Sequence, residues 1–266
     1  MRNLICLIGI LVLGTSCSEY QDALKSTDVK LKYDLAEKLY NEGDYKKANR
    51  LFEQIAPKFA GKPQGERVVY FMADSYYKTE DFYLAGYQFD RFSRSYPRSE
   101  KAETAAFLGA KSYYQLSPRY SIDQKETIQA IDKLQSFINS YPNSPDLPEA
   151  NNMVQELQVK LEKKAFEIAK QYNTIRDYKS AIKAFDNFIA DYPGTPYREK
   201  ALYYKLHSSY TLAINSFEVL KPERLREAKL AYNNFTRYYS ESEYMDEVEE
   251  MGADIDKELE NIQDKI

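Results

Sequence analysis

The 266-residue chain has no tryptophan, one histidine, two cysteines and nine glycines. A single histidine, His207, provides no cluster of imidazole ligands for a metal, and its place in a helical pattern favours a structural role. The few glycines form no phosphate-binding loop, and no nucleophile elbow of the G-x-S-x-G type occurs. We therefore expect no enzyme, no catalytic residue, no metal and no cofactor.

The cysteines and the charge limit the partners further. Cys6 and Cys17 both precede residue 18, so no disulfide can brace the body of the chain. The formal net charge of −4 argues against nucleic acid as a partner. Strand-type alternation is also absent, which leaves helices as the expected secondary structure.

The N-terminus carries a short apolar run. Residues 4–14 follow Arg2 and are fewer than the ~20 that a membrane-spanning helix needs, which indicates a signal peptide. Small residues directly precede Cys17, as at a bacterial lipoprotein cleavage site, although Gly14 stands where leucine is usual. We expect removal of residues 1–16, a lipid on Cys17, and a polar tether over residues 17–28. The alternative is ordinary secretory cleavage with Cys17 as an idle thiol.

An alanine is followed five times by large apolar residues at +4, +7 and +11, which lie on one face of a helix. The sets are Ala48/Phe52/Ile55/Phe59, Ala85/Phe89/Phe92/Tyr96, Ala130/Leu134/Phe137/Tyr141, Ala181/Phe185/Phe188/Tyr192 and Ala228/Tyr232/Phe235/Tyr239. Proline follows three of the closing aromatics. This pattern is typical of the second helix of a tetratricopeptide (TPR) repeat, and such arrays bind partners.

The predicted fold is all-α, an α-solenoid of five TPR helix pairs with a C-terminal capping helix. Within the body, residues 29–266, we place the units at about 29–61, 62–98, 99–143, 144–194 and 195–241, and the capping helix at 243–265. The fourth unit begins with a long helix from about Pro148 to Asn173. Hydroxyls at Ser99, Ser144, Thr195 and Ser242 are expected as helix N-caps. The acidic face of the last helix indicates a solvated cap, with a site for a basic partner as the alternative.

The first helices repeat a pattern of rings and charges. An aromatic occupies one common slot in each: Tyr33, Tyr70, Phe107, Phe166 and Tyr203. In the first three helices a second ring and an intervening charge follow: Glu37 and Tyr40, Asp74 and Tyr77, Lys111 and Tyr114. We expect these residues of the first three units to line a groove for an extended peptide that ends in an aromatic residue. The alternative is that the rings only pack against the neighbouring unit.

A lipoprotein signal followed by five TPR units with stretched central helices resembles the BamD family, the TPR lipoproteins of the outer-membrane β-barrel assembly machinery. The similarity is best over residues 85–97, 124–131, 141–172 and 178–193. The resemblance implies a lipid-anchored protein on the periplasmic face of the outer membrane. Its implied partners are the POTRA domains of BamA, other subunits of the machinery, and the C-terminal strand signals of unfolded outer-membrane proteins, whose folding and insertion it would assist. We expect units three to five to dock the barrel protein and the first units to face substrate.

Two other interpretations stay open. One is a TPR lipoprotein that scaffolds other envelope or cell-wall complexes. The other is a glycan-capturing surface lipoprotein of the SusD type; such proteins are much longer and normally bind through tryptophan, which this chain lacks.

Overall fold

A computed structural model describes residues 19–59 and 62–263, so the predicted signal peptide and Cys17 lie outside the described residues. All regular elements in this part of the chain are helices. They are α1 (residues 19–25), α2 (Val29–Asn41), α3 (Tyr45–Phe59), α4 (Pro63–Lys78), α5 (Phe82–Ser95), α6 (Ala102–Leu116), α7 (Lys125–Ser140), α8 (Leu147–Thr174), α9 (Tyr178–Asp191), α10 (Arg198–Ile214), α11 (Lys221–Tyr238) and α12 (Met245–Gln263). The predicted class, all-α with TPR-type helix pairs, is confirmed.

The alanine slot of the repeat lies in the core of the array. All five slot alanines are completely buried: Ala48, Ala85, Ala130, Ala181 and Ala228. Four of the five residues one turn later are equally buried, namely Phe52, Phe89, Leu134 and Phe185. A methyl group at the contact lets two helices approach closely, and the following ring fills the space beside it. The spacing read from the sequence therefore describes the core.

Short turns reverse the chain between the first and second helix of a pair. One residue of the turn takes a left-handed conformation, with φ of 84° at Gly43, 62° at Glu80 and 64° at Arg176. An aspartate then caps the second helix, because Asp81 accepts from Leu84 N and Asp177 accepts from Ser180 N, each at 3.2 Å. The turn and the cap together fix where each second helix begins.

The described residues form two compact units. Unit 1 comprises the chain through Pro118 together with Asp123–Leu157, and unit 2 comprises Arg119–Ile122 and the chain from Gln158 onward. The long α8, 28 residues, contributes its first part to unit 1 and the remainder to unit 2. In unit 1 one core lies among α1 to α5 and includes Ala105 of α6, and a second lies among α6, α7 and the start of α8. In unit 2 the cores lie among α8 to α10 and among α10 to α12.

Two local expectations differ from the structure. The four hydroxyls expected as N-caps lie two residues too early: Ser99 Oγ accepts from Lys101 N at 3.0 Å, but α6 begins at Ala102 and Lys101 is its N-cap residue. The hydroxyls of Ser144, Thr195 and Ser242 make the same turn before α8, α10 and α12. The polar tether also differs, because residues 19–25 are helical and Ala23, only 1% exposed, packs into the unit 1 core.

Candidate peptide-binding groove

The first helices of unit 1 present a common surface, which we call the first-helix surface: the solvent side of α2, α4 and α6. The structure brings the ring-and-charge pattern of α2 into direct contact with that of α4. The ring of Tyr40 stacks on Phe71 with centroids 4.4 Å apart, and the Tyr40 hydroxyl donates to Asp74 Oδ2 at 2.6 Å. Residues one repeat apart in sequence are thus neighbours on this surface.

The tyrosine-to-carboxylate hydrogen bond recurs along the first helices. Tyr114 donates to Glu156 in unit 1, and in unit 2 Tyr210 donates to Asp254 at 2.7 Å. Tyr203 also donates to the α12 carboxylate of Glu247. The hydrogen bond to Glu156 and burial raise the pKa of Tyr114 to about 12, so its hydroxyl stays protonated and acts as a donor at neutral pH.

The predicted charges are also shared between neighbouring first helices. Glu37 on α2 pairs with Arg67 on α4, a residue that the sequence pattern does not single out. Lys111 on α6 contacts Glu149 on α8 at 2.7 Å, and this hydrogen bond raises the pKa of Lys111. The charges therefore hold the surface together as well as lining it.

Burial separates the predicted rings into two groups. Tyr70 and Phe107 are buried, and Phe107 packs on Phe137 with centroids 5.3 Å apart, so the packing alternative describes Phe107. The corresponding rings of unit 2, Phe166 and Tyr203, are buried in the same way. The remaining rings of the pattern are partly exposed: Tyr33, Tyr40, Tyr77 and Tyr114.

Two adjoining cavities open where α2, α4 and α6 begin. The first, about 640 Å³, has apolar walls from Val29, Tyr33 and Phe59. The second, about 670 Å³, lies over the rings of Tyr70 and Phe71. Gln64 and Arg67 line both, so the cavities share one wall. We refer to the pair as the groove.

Basic side chains lie close to the aromatic rings of the groove. The guanidinium of Arg67 lies 5.2 Å from the Phe71 centroid, and Lys101 Nζ lies 4.6 Å from the Tyr70 centroid. Lys30 lines the first cavity. Aromatic walls beside exposed cations are suited to an aromatic side chain followed by a carboxylate, because the ring is buried while the anion meets the cations.

The sequence pattern singles out Tyr33 and Tyr70 of the groove and misses Phe71 and the cations. Arg67 lies one turn before Tyr70, whereas the ring-and-charge pattern extends only toward the later residues of each helix. Lys101 precedes α6 by one residue and comes from the next unit. A search for basic residues one turn before each slot aromatic would have found Arg67.

The remaining chemistry is sparse in the part of the chain that the structure describes. Over residues 19–59 and 62–263 no cluster of three or more His, Cys, Asp or Glu side chains could hold a metal ion. None of the described helices has the length and apolar character to cross a bilayer. His207 is half-buried beside Asn173, with Nδ2 of the asparagine and Nδ1 of the histidine 3.0 Å apart, and burial lowers the pKa of His207.

Comparison with known proteins identifies the family. A family model for the outer membrane lipoprotein YfiO matches residues 25–221. The chain belongs to the YfiO family of outer-membrane lipoproteins. The match covers the groove and α2 to α10, it includes only the last residue of α1, and it stops before most of α11 and all of α12. A protein of this family is associated with the outer membrane.

Similarity to individual proteins is remote. No individually curated protein matches the chain. A TPR repeats protein from Bacteroides fragilis is 12% identical, over 87% of this chain and 99% of its own, with a TM-score of 0.43. The assembly chaperone of RpL4, residues 1–338, is 10% identical over 90% and 99% of the two chains, with a TM-score of 0.26. Neither likeness adds to the assignment.

Proposed function

We propose that this YfiO-family protein is a non-enzymatic adaptor of outer-membrane β-barrel assembly. Its groove would capture the C-terminal strand of an unfolded barrel protein while another surface docks the barrel-inserting subunit. The observation that carries the proposal is the pair of cavities joined at Arg67. Apolar and aromatic walls lie on both sides of one cation, which suits a chain end that combines a ring with a carboxylate.

In the proposed complex the terminal aromatic enters one cavity and its carboxylate meets Arg67 and Lys101. Tyr33 and the partly exposed Phe71 form ring contacts, with the buried Tyr70 beside Phe71. The partly exposed Tyr40 and Tyr77 continue the surface along the peptide. Asp74, Glu37, Lys111 and Tyr114 hold neighbouring first helices in register through the pairs described above. Burying one ring at such a contact is worth about 1.5–3 kcal/mol.

The membrane attachment we propose is a lipid on Cys17, on the periplasmic face of the outer membrane. The family assignment to outer-membrane lipoproteins and the small residues before Cys17 support it. Replacing Cys17 by alanine should release a folded body from membranes. Mass spectrometry of the mature N-terminus distinguishes this proposal from ordinary secretion, which would leave an unmodified residue at another position.

For the docking surface we propose the loop between α10 and α11 in unit 2. Phe217 and Val219 are 86% and 91% exposed. The loop is nevertheless held in place, since Leu220 N donates to Phe217 O at 2.9 Å and Arg224 donates to Ser216 Oγ at 2.5 Å. Exposed apolar side chains on a fixed turn are suited to a protein partner, here the POTRA domains of the barrel protein.

Copurification tests this function most simply. The lipidated full chain should be extracted in mild detergent together with the barrel-inserting subunit, and crosslinkers placed at Tyr33 or Gln64 should capture unfolded barrel proteins. The alternative, a scaffold for cell-wall enzymes, predicts murein enzymes in the same extract and no barrel precursor at the groove. Recovery of murein enzymes alone would replace the present proposal with that alternative.

A further inference from the structure

The segment between the expected lipid anchor and the first repeat is folded onto unit 1. Ala23 is buried in the unit 1 core, with Tyr20 and Leu24 packed against it. The buried Lys32 donates from Nζ to Leu24 O at 3.2 Å and also to Gln54, so it ties the end of α1 to α2 and α3. This segment therefore allows little separation between the anchor and the body.

The contacts of α1 also fix which end of unit 1 is nearest the anchor. Glu19 Oε2 lies 3.6 Å from Lys38 Nζ, near the end of α2, and Lys47 Nζ lies 5.8 Å from the Tyr20 ring at the start of α3. Only Ser18 separates Glu19 from Cys17, so the two Cα atoms are at most about 7 Å apart. The anchor thus leaves unit 1 beside the turn that joins α2 to α3.

We call this end of unit 1 the turn edge: residues 42–44 and 79–81 with the first turns of α3 and α5. The two turns lie on the same edge because each is the tight reversal that joins the first helix of a pair to the second. Tyr83, in the first turn of α5, is 69% exposed, and Tyr87 one turn later is also exposed. Tyrosine is enriched where protein meets the lipid headgroups, since its ring is apolar and its hydroxyl is polar.

We propose that the turn edge of unit 1 is a membrane-contact surface, which α1 holds against the lipid headgroups. This inference rests on the proposed lipidation of Cys17. The occupant is the bilayer surface itself, because the anchor enters it within two residues of the folded body and exposed tyrosines stand on the same edge. Unit 1 thereby takes one orientation on the membrane, with the beginnings of α2 and α4, and hence the groove, at the opposite edge.

The charge of the turn edge determines which lipids it needs. Its lysines are outnumbered by its acids: Lys46 and Lys47 against Glu42, Asp44, Glu80 and Asp81. Coulomb attraction to anionic lipid therefore contributes little, and the lipid anchor and the tyrosines provide the contact. The orientation should be the same on zwitterionic and anionic vesicles.

Two probes on one helix test the orientation. In the lipidated full chain the anchor uses Cys17, so a cysteine introduced elsewhere carries a fluorophore alone. The exposed Lys46 and Lys58 lie near opposite ends of α3, about 18 Å apart at 1.5 Å per residue. On vesicles with a short-range quencher at the lipid headgroup, the Lys46→Cys probe should be quenched several-fold more strongly than the Lys58→Cys probe.

Lengthening the attachment is the matched variant, because it leaves every contact of α1 intact. A ten-residue Gly-Ser linker between Ser18 and Glu19 adds about 17 Å of flexible reach and should lower the quenching at Lys46 toward that at Lys58. The double variant Tyr83→Ser/Tyr87→Ser should also lower the quenching of the Lys46→Cys probe. Leu230→Ser is the control, since Leu230 is equally exposed in unit 2, and it should leave the quenching unchanged.

Flotation of the chain with the vesicles separates the possible failures. A chain that does not float overturns the anchor and this orientation together. A chain that floats and shows equal quenching at the two probes, or quenching that the linker leaves unchanged, overturns the orientation and leaves the anchor and the groove standing.

Discussion

The Tyr40 hydroxyl donates to Asp74 Oδ2 at 2.6 Å and so joins two first helices whose residues lie 34 positions apart in sequence. Asp74 is only 6% exposed, and this hydroxyl satisfies a carboxylate that water hardly reaches. The same donor-to-acid relationship recurs at Tyr114 and Tyr210, where it also joins a first helix to a later helix of the array. The Tyr40–Asp74 hydrogen bond stabilises the array and fixes the positions of the rings that line the groove.

Removing the Tyr40 hydroxyl should therefore destabilise the fold. Tyr40→Phe keeps the stack on Phe71 and leaves the buried Asp74 without this donor, which costs about 1–3 kcal/mol. Tyr77→Phe is the matched control, because it occupies the same slot one repeat later and the described residues provide its hydroxyl with no comparable buried acceptor. In urea denaturation, the unfolding midpoint of Tyr40→Phe should lie well below those of the parent and the control. Equal midpoints for the two variants would contradict the claim that the Tyr40–Asp74 hydrogen bond stabilises the fold.

Alkaline pH should weaken the same tyrosine-to-carboxylate hydrogen bonds. The folded pKa of Tyr114, about 12, lies above the ordinary value of 10.0. The contribution of the Tyr114 hydrogen bond to the free energy of unfolding is therefore complete below pH 10. It is lost as the pH rises from 10 to 12, because the tyrosine of the unfolded chain loses its proton first. The pKa of Tyr210 is raised to about 12 by burial and by its bond to Asp254. Unfolding midpoints measured from pH 8 to 12 should fall in that window, and Tyr114→Phe should fall less steeply.

The turn between α2 and α3 gives a prediction about backbone conformation. Gly43 has a φ of 84°, and a β-carbon added to it would meet no atom within 4 Å, so alanine there meets only backbone strain. We expect Gly43→Ala to cost about 1–2 kcal/mol. Gly194 has equal space and lacks the left-handed φ, and Gly194→Ala should be neutral or slightly stabilising. Thermal melts of the two variants check this, and similar melting temperatures would count against the turn geometry.

Local spacing predicts most of the fold. The five alanine sets locate the second helices because 3.6-residue periodicity is a property of the segment itself, and the long helix predicted over residues 148–173 is α8, which spans Leu147–Thr174. The predicted caps are misplaced by two residues because a hydroxyl can close a tight turn before a helix as easily as it can cap the helix. Ser99 does the former.

The groove is harder to predict because its parts come from different repeats. The aromatic slots are visible in the sequence, but the pairing of Tyr40 with Asp74, and the closeness of Lys101 to Tyr70, depend on how helices pack. The polar composition of residues 17–28 also hides α1. The residues that α1 packs against the core, Tyr20, Ala23 and Leu24, have helical spacing, but the segment is too short for that spacing to outweigh its composition.

The loop between α10 and α11 should be required for docking and dispensable for folding. Phe217→Ser/Val219→Ser removes two almost fully exposed side chains, so the melting temperature should stay unchanged while copurification of the barrel-inserting subunit falls at least several-fold. Leu230→Ser is the control, since it is also exposed on unit 2. Undiminished copurification with the double variant would show that the docking surface lies elsewhere on the protein.

Binding of a short peptide to the groove tests the central claim most directly. A labelled peptide ending in phenylalanine with a free carboxylate should bind the full chain, and its amidated form should bind about tenfold more weakly because it lacks the charge that Arg67 and Lys101 meet. Arg67→Gln and Lys101→Gln should reduce this preference, whereas Arg91→Gln, an exposed arginine on α5, should preserve it. Equal affinity for the free and amidated peptides, or a preference that survives both substitutions in a folded protein, would contradict the account.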